Sequence, residues 1–255
     1  MTGWVADAYY DVNFWLCMAG MTTWFSLRTE GYQHVPRSGP ALLIANHQSF
    51  LDPVLVGLAA RRRLTFLARK TLFKHWMFRL IAGGLNPVPV NQEGFAREGL
   101  KTILEQLERG RAVGIFPEGE RTFDGEMHEF RPGIHLLIKR IDMPIIPVGI
   151  AGAFEAWPRW RPFPIPAPLF LPAWRGTMAV AIGRPISSAC LREKPREESQ
   201  AELSAAVQAV YHRATHIRRR SPGESYIKPG RRQFGVPSKV ASSPQPQNPT
   251  DQDGE

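Results

Sequence analysis

The stretch Asn46-His47-Gln48-Ser49-Phe50-Leu51-Asp52 places an imidazole five positions before a carboxylate, directly after the apolar run Ala41–Ala45. A carboxylate beside an imidazole orients the ring and stabilises its protonated form, so the far ring nitrogen can draw a proton from an alcohol. The spacing alone does not select that chemistry. Five residues correspond to about 140° around a straight helix, so His47 and Asp52 would not share a helical face. They can meet if His47 lies in a loop and Asp52 in the first helical turn. Ser49 and Asp52 also form an S-x-x-D pattern of the capping-box kind, and Asp52 before Pro53 can itself cap a helix. A helix cap beside a packed histidine therefore stays open next to a proton-transfer pair.

A second stretch, Phe116-Pro117-Glu118-Gly119-Glu120-Arg121-Thr122, follows the apolar run Ala112–Phe116. Gly119 permits a sharp turn whose amides can face an anion. Arg121 offers a forked donor suited to phosphate. An ordinary surface turn is the plainer alternative. No G-x-S-x-G elbow, Walker A loop, G-x-G-x-x-G or H-E-x-x-H motif is present. The two cysteines, Cys17 and Cys190, lack a ligand-type spacing. That argues against a disulfide framework or a metal centre and fits a reducing compartment.

These residues need elements to hold them. Ala41–Ala45 reads as a buried strand, followed by a helix over Pro53–Arg62. Strands are expected at 64–68, 88–90, 112–116, 145–151 and 177–182; Pro89 weakens the one at 88–90. Helices are expected at Leu72–Ala82, stopped by Gly83-Gly84, at Gly94–Arg109, at Ile134–Ile141 and at Glu198–Arg218. Phe95, Leu100, Ile103, Leu104 and Leu107 give Gly94–Arg109 a single apolar face. Alternation of strands and helices predicts an α/β fold with a mixed, largely parallel sheet flanked by helices. The expected organisation is an N-terminal amphipathic membrane-interface segment (1–28), one domain (29–220) and a basic, proline-rich disordered tail (221–255).

The 255-residue chain carries a net charge of +9, which suits an anionic partner without naming it. No secretory signal is expected, because no basic region precedes the N-terminal apolar stretch. Phe14–Leu27 is uncharged but too short to span a bilayer, and with Tyr9, Tyr10, Trp15, Trp24 and Phe25 it reads as a helix lying in a membrane interface. Residues 157–174 mix Trp, Phe, Pro and Arg, as expected of a loop pressed onto lipid headgroups or of a loop covering the core. Arg213, Arg218, Arg219, Arg220, Lys228, Arg231, Arg232 and Lys239 form a basic run that could tether the chain to anionic lipid. Nucleic acid is not expected as a partner, since no matching fold or motif accompanies the charge.

Taken in order, these blocks resemble the glycerolipid acyltransferases of the lysophosphatidic acid acyltransferase (PlsC-like) type. N-H-x-x-x-x-D is present at 46–52, F-P-E-G-[ST]-R-[ST] at 116–122 with Glu120 in place of Ser or Thr, and a proline-bounded apolar strand at 143–150. Arg69-Lys70 resembles the family's Ala-Lys. The second block departs from the pattern: Gln92 stands where an arginine is usual, and Lys70 or Arg97 would have to replace it. The resemblance implies that His47 is the general base, that Asp52 orients and charges it, and that Glu118, Gly119, Arg121 and Lys70 bind the acceptor. It implies acyl transfer from acyl-CoA or acyl-carrier protein to a lysophospholipid hydroxyl, at the cytoplasmic face of the membrane, with no metal or other cofactor. A different lipid acceptor, or a non-catalytic membrane-binding member of the fold, is the alternative.

Overall fold

Five consecutive apolar residues can be buried together only where both faces of a strand are covered. The computed structural model, which describes residues 3–69, 86–90 and 95–220, gives Ala41–Ala45 that environment: all five are buried. The elements in chain order are α1 (Gly3–Phe25), β1 (Arg28–Glu30), β2 (Ala41–Ala45), α2 (Asp52–Ala60), β3 (Leu64–Arg69), β4 (Asn86–Val90) and α3 (Phe95–Glu108). They continue with β5 (Ala112–Ile115), α4 (Gly133–Ile138), β6 (Pro144–Ala151), α5 (Ala153–Ala156), β7 (Ala179–Ile182), β8 (Ile186–Ser187), α6 (Ser188–Arg192) and α7 (Arg196–Ile217).

The strands order as β1-β7-β6-β2-β5-β3-β4, with β8 also on β6. Strands β6, β2, β5, β3 and β4 run parallel, while β7 and β8 pair antiparallel with β6. The expected mixed, largely parallel sheet is what forms. Successive β2 side chains face opposite ways. Leu43 and Ala45 join one core with Leu55 and Val56 of α2 and Met21 of α1. Leu42 and Ile44 join the other with Leu107 of α3, Ile134 and Ile138 of α4, and Leu203 and Val207 of α7. Pro87 and Pro89 lie in β4, at the end of the strand order, where a missing N–H costs no ladder bond on the outer side.

The N-terminal helix runs from Gly3 to Phe25, inside the segment expected at 1–28. Phe14, Met18, Met21 and Phe25 pack on the core, while Val12, Trp15, Leu16 and Trp24 are exposed on the remaining surface. No helix among the described residues is long and apolar enough to cross a membrane. Four arginines of the expected basic run make bonds within the fold. Arg213 binds Glu30 with both Nε and Nη2, and Arg218 reaches Glu155 at 2.9 Å. Arg220 donates to the Thr215 carbonyl. Arg219 donates to Ser26 Oγ and to the carbonyls of Pro168, Leu169 and Leu171. The helix expected at 72–82, its Gly83-Gly84 stop, Lys70, Gln92 and the tail at 221–255 lie outside the described residues.

Candidate active site

Strands β6, β2 and β5 are adjacent and parallel, so the segments after their C-terminal ends emerge at one edge of the sheet. That is where open α/β sheets place ligands. The segment after β2 carries His47, the one after β5 carries residues 116–122, and the one after β6 leads through α5 into the 157–174 loop.

His47 Nδ1 donates to Asp52 Oδ2 at 2.7 Å. The same oxygen accepts the backbone N–H groups of Gln48 and Ser49, the latter at 2.7 Å. Asp52 is fully buried, and the His47 side chain keeps 18% exposure. Half of the capping box forms, the bond from Ser49 N–H to the Asp52 carboxylate, while no side chain caps the start of α2. Leu51, with no side-chain cap, precedes α2. Asp52 is the first helical residue, and its carboxylate reaches back to amides ahead of the helix. Three donors in a loop outcompete a cap, because the helix already has Pro53 at a position where no N–H is needed. Ser49 is used elsewhere: its hydroxyl donates to the Trp157 carbonyl at 2.9 Å.

Asn46 explains why the loop leaves the sheet in register. Its buried side chain accepts from Ile150 N at 2.8 Å and donates to Ile150 O at 3.0 Å. The amide thus pairs with β6 as one more strand residue would. Ring stacking then fixes the imidazole plane. His47 lies on Phe116 with centroids 4.1 Å apart and planes at 16°, and Phe116 lies parallel to Phe66 of β3 at 5.9 Å. Room for Phe66 comes from Gly114 of β5, where a Cβ would stand 2.2 Å from Cε1 of that ring.

The 116–122 block closes around the histidine. Glu118 Oε1 accepts His47 N at 2.8 Å, Glu118 Oε2 accepts His128 N at 3.0 Å, and Thr122 N donates to His47 O at 2.9 Å. Both Glu118 oxygens are therefore spent on backbone amides, and burial pushes its carboxyl up to about 7 despite those bonds. Gly119 has φ +78°, and its N–H donates to Phe116 O at 3.0 Å, so that amide serves the turn. Arg131 lies over Gly119 and donates Nε to Glu118 O at 3.0 Å. Glu120 sits 3.2 Å from Arg131 Nη2 and 3.9 Å from Arg159 Nη1. Arg121 stacks on Phe50, its guanidinium carbon 3.4 Å from the ring centre.

The structure thus brings His47, Asp52, Glu118, Gly119 and Arg121 together, while Lys70 falls outside the described residues. Sequence reading missed Phe50, Phe116, Phe66, Arg131 and Arg159. Phe50 and Phe116 lie inside the two motifs and were within reach. Arg131 and Arg159 carry no local signal. Among the described residues, no group of three His, Cys, Asp or Glu could hold a metal.

Residues 26–151 match the family model described as Acyltransferase. The chain is 30% identical over 152 residues to a probable 1-acyl-sn-glycerol-3-phosphate acyltransferase of Mycoplasma genitalium, covering 57% of this chain and 54% of that one. It is 27% identical over 139 residues to the chloroplastic 1-acyl-sn-glycerol-3-phosphate acyltransferase LPAT1 of Arabidopsis thaliana, covering 52% and 38%. With the Bacillus subtilis 1-acyl-sn-glycerol-3-phosphate acyltransferase the figures are 22% over 176 residues, 69% and 81%. The chain thus spans about half or less of the first two relatives. Its fold matches the crystal structure of the 1-acyl-sn-glycerophosphate (LPA) acyltransferase PlsC from Thermotoga maritima, with TM-score 0.57, 23% identity, and 73% and 71% of the two chains covered. All the site residues described above except Arg159 and Trp157 lie in the region, residues 26–151, that matches the Acyltransferase family model.

Proposed function

We propose that the protein is an O-acyltransferase that moves a fatty acyl group from acyl-CoA or acyl-carrier protein to a lysophospholipid hydroxyl. The acceptor is 1-acyl-glycerol-3-phosphate and the product phosphatidic acid. One observation carries this reading: the His47–Asp52 pair, held at 2.7 Å with Nδ1 committed to Asp52, leaves Nε2 as the basic nitrogen at the sheet edge that Arg121 shares. Nε2 takes the acceptor's hydroxyl proton as its oxygen attacks the thioester carbonyl. Asp52 stabilises the resulting imidazolium. Collapse of the tetrahedral intermediate breaks the C–S bond, and the departing thiolate takes the proton from Nε2. The ester forms, the thiol leaves, and His47 returns to its starting state. Arg121 supplies the cationic fork for the acceptor's phosphate. The relatives' names support the same acceptor.

Membrane lipids are the source of such an acceptor, and an exposed apolar surface supports association at the cytoplasmic face. Ala167 N and Leu169 N donate to Trp24 O and Thr23 O, both at 2.7 Å, joining the 157–174 loop to α1. Trp24 and Phe170 meet edge to face, beside exposed Leu169, Leu171 and Trp174. Tryptophan and phenylalanine beside arginine suit the headgroup boundary.

A second reading keeps the chemistry and changes the acceptor to a lipid alcohol or amine without phosphate. Glu120 favours it, because its carboxylate stands one residue from Arg121 and engages Arg131 and Arg159. Acyl-CoA assays against 1-acyl-glycerol-3-phosphate, a neutral monoacylglycerol and a lipid amine separate the two. Preference for the phosphate-bearing acceptor is expected; equal or better use of the others overturns the first reading. The His47→Ala variant should lose roughly 10²- to 10⁴-fold in kcat while staying folded. Near wild-type rates would remove the general-base role.

A further inference from the structure

We infer that Phe50 is a positioning residue: it is the platform that aims Arg121 at the acceptor's anionic headgroup. This rests on the acyl-transfer reading above and adds to it a residue between the base and its carboxylate.

The turn that holds Phe50 has little freedom. Asp52 Oδ2 binds the Gln48 and Ser49 amides, and Ser49 Oγ binds the Trp157 carbonyl. The Phe50 ring stands out from this turn, 38% exposed, with the Trp157 ring 5.6 Å away at 52° on one side. The Arg121 guanidinium covers it at 3.4 Å. A guanidinium stacked on an aromatic face has its plane fixed, and the edge of that plane is what forms two parallel bonds to a phosphate. An arginine side chain free of such a platform samples many rotamers and must order them on binding. The platform acts on the cation through its aromatic face, whereas Arg131 is held by the Glu120 carboxylate.

The arrangement also fixes a distance. His47 and Phe50 belong to the same pinned turn, so the proton acceptor and the headgroup grip move as one unit. A lysophospholipid is then held with its phosphate end on Arg121 and its hydroxyl end at Nε2.

The experiment uses the full chain in mixed micelles with acyl-CoA, and compares wild type with Phe50→Leu, Phe50→Tyr and Phe50→Trp. Leucine keeps an apolar side chain and removes the aromatic face. KM for 1-acyl-glycerol-3-phosphate should rise roughly 3- to 30-fold in Phe50→Leu, the range of a cation–π contact. The kcat should change far less, and KM for a neutral monoacylglycerol should stay unchanged. Tyr and Trp should restore the phosphate KM. An unchanged phosphate KM overturns the inference, as does an equal rise for both acceptors, which would mark a general structural role. A calorimetric titration with sn-glycerol 3-phosphate reads the same contact without turnover. Its Kd should rise by the same factor in Phe50→Leu and recover in Phe50→Tyr; an equal Kd, or no binding by wild type, overturns the inference. If the headgroup binds as expected but wild type transfers no acyl group to the phosphate-bearing acceptor, the acceptor reading fails and the Phe50–Arg121 platform stands.

Discussion

Glu118 holds the backbone of the His47 loop with a buried carboxyl group, and that has a measurable cost. Both oxygens accept backbone N–H groups, from His47 and His128, and the residue is 5% exposed. Among the described residues no lysine or arginine bonds to the carboxyl, and Arg131 donates instead to the Glu118 carbonyl. Burial therefore raises the group from 4.5 to about 7. Between those values the folded chain binds more protons than the unfolded one, so this group's contribution to stability falls as pH rises. The loss is complete above pH 7 and amounts to roughly 3 kcal/mol at about 1.4 kcal/mol per unit. Glu118→Gln removes the titration. Its amide oxygen keeps one N–H partner, and its NH₂ opposes the other, which costs about 1–3 kcal/mol at any pH. The wild type should thus be the more stable protein near pH 5, and its advantage should shrink by roughly 2.5 kcal/mol by pH 8. Equilibrium urea unfolding of both proteins across that range measures the difference directly, since the remaining titrations are common to both. A difference that is constant with pH, or that grows, would refute a buried carboxyl with raised affinity for its proton.

Two substitutions test the walls of the site. Gly114→Ala places a methyl 2.2 Å from Phe66 Cε1 in a strand flanked by β2 and β3; overpacking of this kind costs about 1–3 kcal/mol. Through Phe116 the displaced ring should tilt His47, so kcat should fall well beyond the stability loss, and adding Phe66→Leu should recover part of it; recovery of neither would break the proposed ring stack. Glu120→Ser should release Arg131 and Arg159 and lower KM for a phosphate-bearing acceptor several-fold, with a steeper salt dependence. An unchanged KM would show that Glu120 stands apart from the acceptor.

What could be read from the sequence follows the range of the interactions involved. Ala41–Ala45 and Ala112–Ile115 were legible because burial on both faces leaves an uninterrupted apolar run. Phe95–Glu108 was legible because Leu100, Ile103, Leu104 and Leu107 repeat at helical spacing against one core. β1 was not, because Arg28-Thr29-Glu30 has no apolar pattern. It forms by backbone pairing with β7 and by the Glu30–Arg213 pair, whose partner is 183 residues away. The His47–Asp52 contact was anticipated, but the sequence left open whether Asp52 caps a helix or gathers loop amides. A carboxylate gathering loop amides leaves the same short pattern as one that caps a helix. The aromatic supports of His47 and Arg121 depend on which strands become neighbours, and that order is not local information.

His47 is gripped from every side by parts of the chain that are themselves anchored. Its N–H is held by Glu118, its carbonyl by Thr122, its ring edge by Asp52 and its ring face by Phe116. The residue before it is spliced onto β6 through the Asn46 amide. A ring mounted this way has almost no travel of its own. Under the proposed acyl transfer, His47 is then the fixed point against which both substrates are aligned.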